Sequence, residues 1–359
     1  MPGKRHTGRV SYHKGRLGVG PERSIMPTTL ESAFSEFDES LNLDAFERRR
    51  AQDRHRELRD VLEATDWVAG SFLQGSFARK TMLKPLTDID IVILLDVEAH
   101  PELRGPDGPE RAMNLFRAAV KDHWPGAQFD IGDPPAGKAL RVHFDDVHFT
   151  VDLVPGIDAP GRRVLIGDRF DREWTDSNTR IQIDRVTERN KRCNSKFVHQ
   201  VRMLKSFRGT QPELDFVSGI VMESLAFQVI HEPMLHAEAL AAVLEAAPSL
   251  LRGKLLEPAG EDDITEKWSE HERDIAIAVF TRRAVQAREA QELAAAGDPH
   301  SSIDVWHDIL GDPFPAAPPR SPKDVVTALA SGSFTSTQRP SSTLAGVIPG
   351  RPTRAWRSN

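Results

Sequence analysis

The run DIDIVILL, residues 88–95, constrains this chain more than any other stretch. Polar and apolar residues alternate from Asp88, which predicts a strand with Asp88 and Asp90 on one face. Ile89, Ile91, Ile93 and Leu95 line the other. Two carboxylates about 7 Å apart on one strand face repel each other unless a cation lies between them. A hard divalent ion with oxygen ligands answers that repulsion. An ordinary edge strand can carry the same letters, so the pair needs support from elsewhere in the chain.

A strand expected over 147–154 (VHFTVDLV) supplies part of it. Alternation sets Val147, Phe149, Val151 and Leu153 against His148, Thr150, Asp152 and Val154. Paired beside the first strand, it brings Asp152 to Asp88 and Asp90. Three such carboxylates suit two Mg²⁺ ions that activate a hydroxyl and stabilise a leaving phosphate. Upstream, a strand at 67–74 runs into Gly75-Ser76, read as a turn. Gly75 permits close backbone approach, Ser76 can donate to a phosphate oxygen, and Arg79 and Lys80 complete an anion cradle.

The remaining periodicity predicts helices over 43–64 and 109–123 and a strand at 139–144, joined to 147–154 by an Asp145-Asp146 turn. A helix is expected just after Met26, capped by Thr29 with Glu31 as the capping-box acid. From 178 to about 331 the apolar spacing is helical throughout. The expected fold class is α+β and bilobed: a mixed-sheet catalytic lobe over 26–177, a helical lobe over 178–331, and a cleft between them. Residues 1–25 and 332–359 lack periodicity and read as disordered, with Met26 an alternative start. A fragment spanning 26–331 is expected to fold and retain activity.

Charge narrows the function. The net −6 divides into +5 over 1–25, +4 over 332–359 and −15 over 26–331. So acidic a body argues against broad nucleic-acid binding, because phosphate neutralisation dominates such affinity. No apolar run approaches the ~18 residues of a membrane span, and one cysteine, Cys193, suits a reducing cytoplasm. Cys193 itself reads as a half-buried helix residue without catalytic role. His231 and His236 are five apart with Pro233 between them, which is not zinc-protease spacing.

Gly75-Ser76, eleven intervening residues, Asp88-x-Asp90 and a later strand aspartate together resemble the polymerase-β-like nucleotidyltransferase superfamily. Within it the chain resembles the CD-NTases, bacterial relatives of the animal cyclic-dinucleotide and oligoadenylate synthetases, over about 26–315. LQGSFARKTMLKPLTDIDIVILL looks like their signature, and FTVDLVPG is similar to the segment carrying their third metal ligand, here Asp152. VRMLKSF, VSGIVMESLA and SSIDVWHDILGDPFP resemble their later helices and closing motif. Lys80 and Phe207 depart from the frequent glycine and tryptophan, which puts donor-base preference in doubt rather than catalysis.

The resemblance implies catalysis by Asp88, Asp90 and Asp152 with two Mg²⁺ (or Mn²⁺). It also implies nucleotide binding by Gln74, Gly75, Ser76, Lys205 and Ser218. Independently, Phe197, Val201, Leu204 and Phe207 bury one face of their helix and leave Lys205 beside Arg202 and Arg208 on a basic face. The implied activity joins NTPs, ATP or GTP, into a cyclic di- or trinucleotide that activates a separate effector in anti-phage (CBASS) signalling. Conjugation through the C-terminal residue occurs in some members, but the Arg-Ser-Asn ending counts against it. Two rivals are a transferase acting on tRNA or protein, disfavoured by the acidic body, and an inactive nucleotide-binding regulator, disfavoured by the three aspartates.

Overall fold

The computed structural model describes residues 29–130 and 136–319. The two terminal segments read as disordered, 1–25 and 332–359, lie outside the described residues. In chain order the elements are α1 (Leu30–Leu41), α2 (Ala45–Glu63), β1 (Val68–Gln74), α3 (Gly75–Arg79), β2 (Asp88–Leu95), α4 (Gly108–His123), β3 (Gln128–Phe129), β4 (Leu140–His143), β5 (Thr150–Asp158), β6 (Val164–Asp168) and β7 (Glu173–Ser177). There follow α5 (Thr179–Arg192), α6 (Phe197–Gly209), α7 (Gly219–Val229), α8 (His236–Leu250), α9 (Glu270–Ala295) and α10 (Pro299–Leu310).

The sheet is mixed, in the order β1-β2-β5-β4-β3, with β6 joining β5 and β7. Among the described residues only β2 and β5 run parallel, and every other strand pair is antiparallel. Ile89, Ile91 and Ile93 of β2 and Val151 and Leu153 of β5 pack against α2 and α4 in one core. The opposite sheet face carries the aspartates and a smaller apolar cluster of Val92, Val154, Val164 and Ile166.

Several sequence expectations are corrected. Gly75-Ser76 is the first turn of a short helix rather than a free turn, because Thr81 N–H donates to the Ser76 carbonyl (2.9 Å) and winds the chain. The strand expected at 147–154 spans Thr150–Asp158, shifted because β5 pairs with β2 and then with β6. Strands β6 and β7 were not anticipated, since the polar spacing of GDRFDREW at 167–174 hides a hairpin whose outer strand is largely exposed. Thr29 does cap α1, but Ser32 closes the capping box in place of Glu31. Cys193 is fully buried at the end of α5, not half-buried.

The helical core contains α6 to α10, and α1 joins it: Phe34 meets Trp306 and Phe314 at ring-centroid distances of 5.1 and 4.9 Å. A boundary at residue 177 therefore assigns α1 to the wrong core. Fixed contacts tie the two lobes, among them Arg180 to Asp158 (2.5 Å) and Arg163 to Glu261 (2.7 Å). Among the described residues no helix is long and apolar enough to cross a membrane.

Candidate active site

β2 lies between β1 and β5, so Asp88 and Asp90 stand on an interior strand and not on an edge. The register sets Asp90 opposite Gln74 on β1 and opposite Asp152 on β5; Asp88 faces Thr150. Parallel pairing keeps side chains in step, which is why Asp90 and Asp152 project from the same sheet face. Gly75 follows Gln74 directly and adopts φ +67°. A Cβ there would lie 1.9 Å from Asp90 Oδ2, so only glycine leaves room for that carboxylate.

Burial pushes the Asp90 carboxyl up to about 6, and the charges of Asp88 and Asp152 add to the effect, while Arg79 and Arg141 oppose it. Such a rise records negative charge without sufficient compensation. Asp152 is 6% exposed and engaged: Arg141 on β4 donates Nε to Oδ1 (2.9 Å) and Nη2 to Oδ2 (2.7 Å). Among the described residues no three His, Cys, Asp or Glu side chains stand in a ready metal-ligating group. The donor chemistry nevertheless fits a hard divalent ion, since Asp88 and Asp90 offer carboxylate oxygens whose mutual repulsion a cation relieves. To join them, Asp152 would share its oxygens between Arg141 and the ion or give up Arg141.

A cation held by Asp90 would have to expel the proton that this carboxyl carries below about pH 6. Apparent affinity for Mg²⁺ or Mn²⁺ is therefore expected to fall about tenfold per pH unit below that point and to level off above it. The rise of melting temperature with added metal, titrated at several pH values, measures this. A pH-independent affinity would remove Asp90 from the ligand set.

The other predicted residues come from three elements. Gln74 ends β1 and Ser76 lies in the first turn of α3. Ser218 is the N-cap residue of α7, is exposed, and makes no side-chain cap bond. Lys205 does not lie on a solvated face: its side chain is 10% exposed. Arg202 beside it is buried too. The cause is α7, which packs across α6. Lys205 Nζ donates to Thr81 O (3.1 Å), Thr81 Oγ1 (2.9 Å) and Glu223 Oε2 (3.3 Å).

Glu223 is fully buried and also meets Arg79 Nε at 2.6 Å, a charge contact outside hydrogen-bond alignment. Burial opposes its charge, but Arg79 and Lys205 outweigh that and hold the carboxyl below its usual range. Burial lowers the Lys205 pKa, with Glu223 working against the fall. Sequence reasoning missed Glu223, Thr81 and Arg141. The available signal for Glu223 was a single charge in the apolar helix GIVMESLAFQV.

Residues 28–190 match the family described as the Second Messenger Oligonucleotide or Dinucleotide Synthetase (SMODS) domain. A probable cyclic AMP-AMP-GMP nucleotide synthase of Salmonella paratyphi B is 22% identical over 344 residues, covering 77% of this chain and 86% of that protein. The E. coli MS115-1 CdnC in its HORMA-deltaN complex superposes with a TM-score of 0.64 at 18% identity, over 79% of this chain and 98% of CdnC. The Vibrio cholerae DncV cyclic AMP-GMP synthase, solved with the linear intermediate 5' pppA(3',5')pG, gives 0.60 at 13% identity, over 80% and 97%. At such identities the structural likeness concerns the fold: a mixed sheet with helices and a helical C-terminal part.

Proposed function

From the SMODS match and the fold we propose that the chain is a CD-NTase, a divalent-metal-dependent nucleotidyltransferase that joins NTPs into a cyclic oligonucleotide, with release of pyrophosphate. The observation that carries the reading is the register of Asp90 with Asp152, beside a glycine that no other residue can replace. Asp88 and Asp90, with Asp152, would hold two Mg²⁺ ions, which when bound supply charge neutralisation at the triphosphate and the acceptor hydroxyl.

The chain's own residues divide the remaining work. Ser76 and Ser218 offer hydroxyls from the two sides of the cleft, and Lys205 lies beside the α7 N-terminus, where backbone N–H groups favour anions. Asp152, once released by Arg141, is the carboxylate nearest to Asp90 on the β5 side and accepts the proton of the attacking hydroxyl. Such chemistry is mostly positioning and charge stabilisation, which rigid strands and buried ion pairs provide.

In cells the product would activate a separate effector in anti-phage defence, and a HORMA-type regulator, as in the CdnC complex, belongs to the same reading. Incubation of the protein with labelled NTPs and Mg²⁺ or Mn²⁺, followed by mass analysis, tests it. A cyclic di- or trinucleotide with either 2′–5′ or 3′–5′ linkages is the expected product. Nucleotide transferred only to tRNA or protein would replace the reading with the rival transferase.

A further inference from the structure

We propose that Glu223 is a positioning residue for the donor triphosphate: one buried carboxylate of α7 sets the spacing of two cations, Arg79 and Lys205, whose positive charge acts on the phosphate site at the α7 N-terminus. The inference rests on the nucleotidyltransferase reading above and assigns a role to a residue far along the chain from the aspartates.

Three observations carry it. First, a wholly buried carboxylate is tolerated only when paired, and Glu223 is paired twice, once with each lobe. Second, each residue of the segment that leaves α3 is fastened to the helical lobe. Arg79 meets Glu223, the Lys80 carbonyl accepts from Arg202 Nη1 (3.1 Å), and Thr81 bonds both Lys205 and Glu223 (2.9 Å each). That segment begins three residues after Ser76, so the hydroxyl's place in the cleft depends on these ties.

Third, Lys205 spends all three ammonium N–H groups on Thr81 and Glu223. Its stem passes Gly219, whose missing Cβ would lie 3.4 Å from Lys205 Cε, within the first turn of α7 and next to Ser218. Two cations against one anion leave a positive excess beside that helix N-terminus, where a phosphate chain completes the balance. Removing the Glu223 charge leaves two buried cations repelling each other, so neither keeps its place.

The test is steady-state kinetics on the full chain with four proteins: wild type, Glu223→Gln, Lys205→Met and the double variant. Glu223→Gln is expected to raise the NTP KM about tenfold with kcat within about threefold. In the Lys205→Met background the same substitution should have a smaller effect on KM, because only Arg79 is left for it to displace. An unchanged KM in Glu223→Gln, or effects that multiply in the double variant, would overturn the proposal.

Should Glu223→Gln fail to fold, Thr81→Val keeps every charge while removing the shared hydroxyl, and it carries the same expectation with a KM rise of about threefold. An unshifted KM in that variant then overturns the proposal. Absence of any nucleotide product from the wild type would instead overturn the transferase reading on which the proposal stands.

Discussion

Asp88→Asn together with Asp90→Asn is expected to reduce nucleotide product by at least about a thousandfold while the fold persists. The two side chains share one face of an interior strand, and their charge is what would hold the cation. Neutral amides of the same shape remove that charge without disturbing the packing of Ile89 and Ile91 on the far face. Stability should move the other way. The Asp90 pKa is raised on folding, to about 6, so the stability associated with its neutral form is complete below about pH 4 and lost as pH rises through 6. At pH 8 without metal, the double variant is therefore expected to melt higher than the wild type, the Asp90 share amounting to about 3 kcal/mol. Product at a near wild-type rate would sink the catalytic assignment; a lower melting point in metal-free buffer would sink the electrostatic account of it.

The aspartates were legible because strand periodicity is short and its violations are conspicuous. A charged residue in an apolar strand must be accounted for, and DIDIVILL shows two. The long helices were legible on the same grounds, through apolar spacing that tertiary packing left intact. What could not be read was partnership across the lobes. Lys205 and Arg202 look alike along α6, and only the arrival of α7 and the segment 79–81 turns that basic face into a buried one. Arg141 was equally opaque: its alternation in ALRVHF is that of an ordinary outward residue until β4 pairs beside β5 and brings it to Asp152. Both cases involve ion pairs between residues distant in sequence, about which local periodicity carries no information. The resemblance to the CD-NTases pointed to Lys205 and Ser218, but not to the carboxylate that fixes one beside the other.

Gly75→Ala is expected to be as damaging to activity as loss of an aspartate, and Gly161→Ala supplies the comparison that says why. Both glycines adopt the left-handed region, at φ +67° and +70°, so an alanine Cβ costs each backbone a similar ~1–2 kcal/mol. Their surroundings differ. At Gly161 nothing lies within 4 Å of the added Cβ, whereas at Gly75 it would fall 1.9 Å from Asp90 Oδ2 and 2.9 Å from its Cγ. The Asp90 carboxylate must then leave the place that register with Asp152 gives it, or α3 must draw back and take Ser76 with it. A displacement of about 1 Å at a reacting group is enough to cost on the order of a hundredfold in rate. Gly161→Ala should accordingly lose a little melting temperature and keep its product yield. Gly75→Ala should lose more stability, about 2–4 kcal/mol, and at least a hundredfold in product. Equal activity in the two variants would mean that the close approach of Gly75 to Asp90 has no part in catalysis, and the site would have to be sought elsewhere on the sheet.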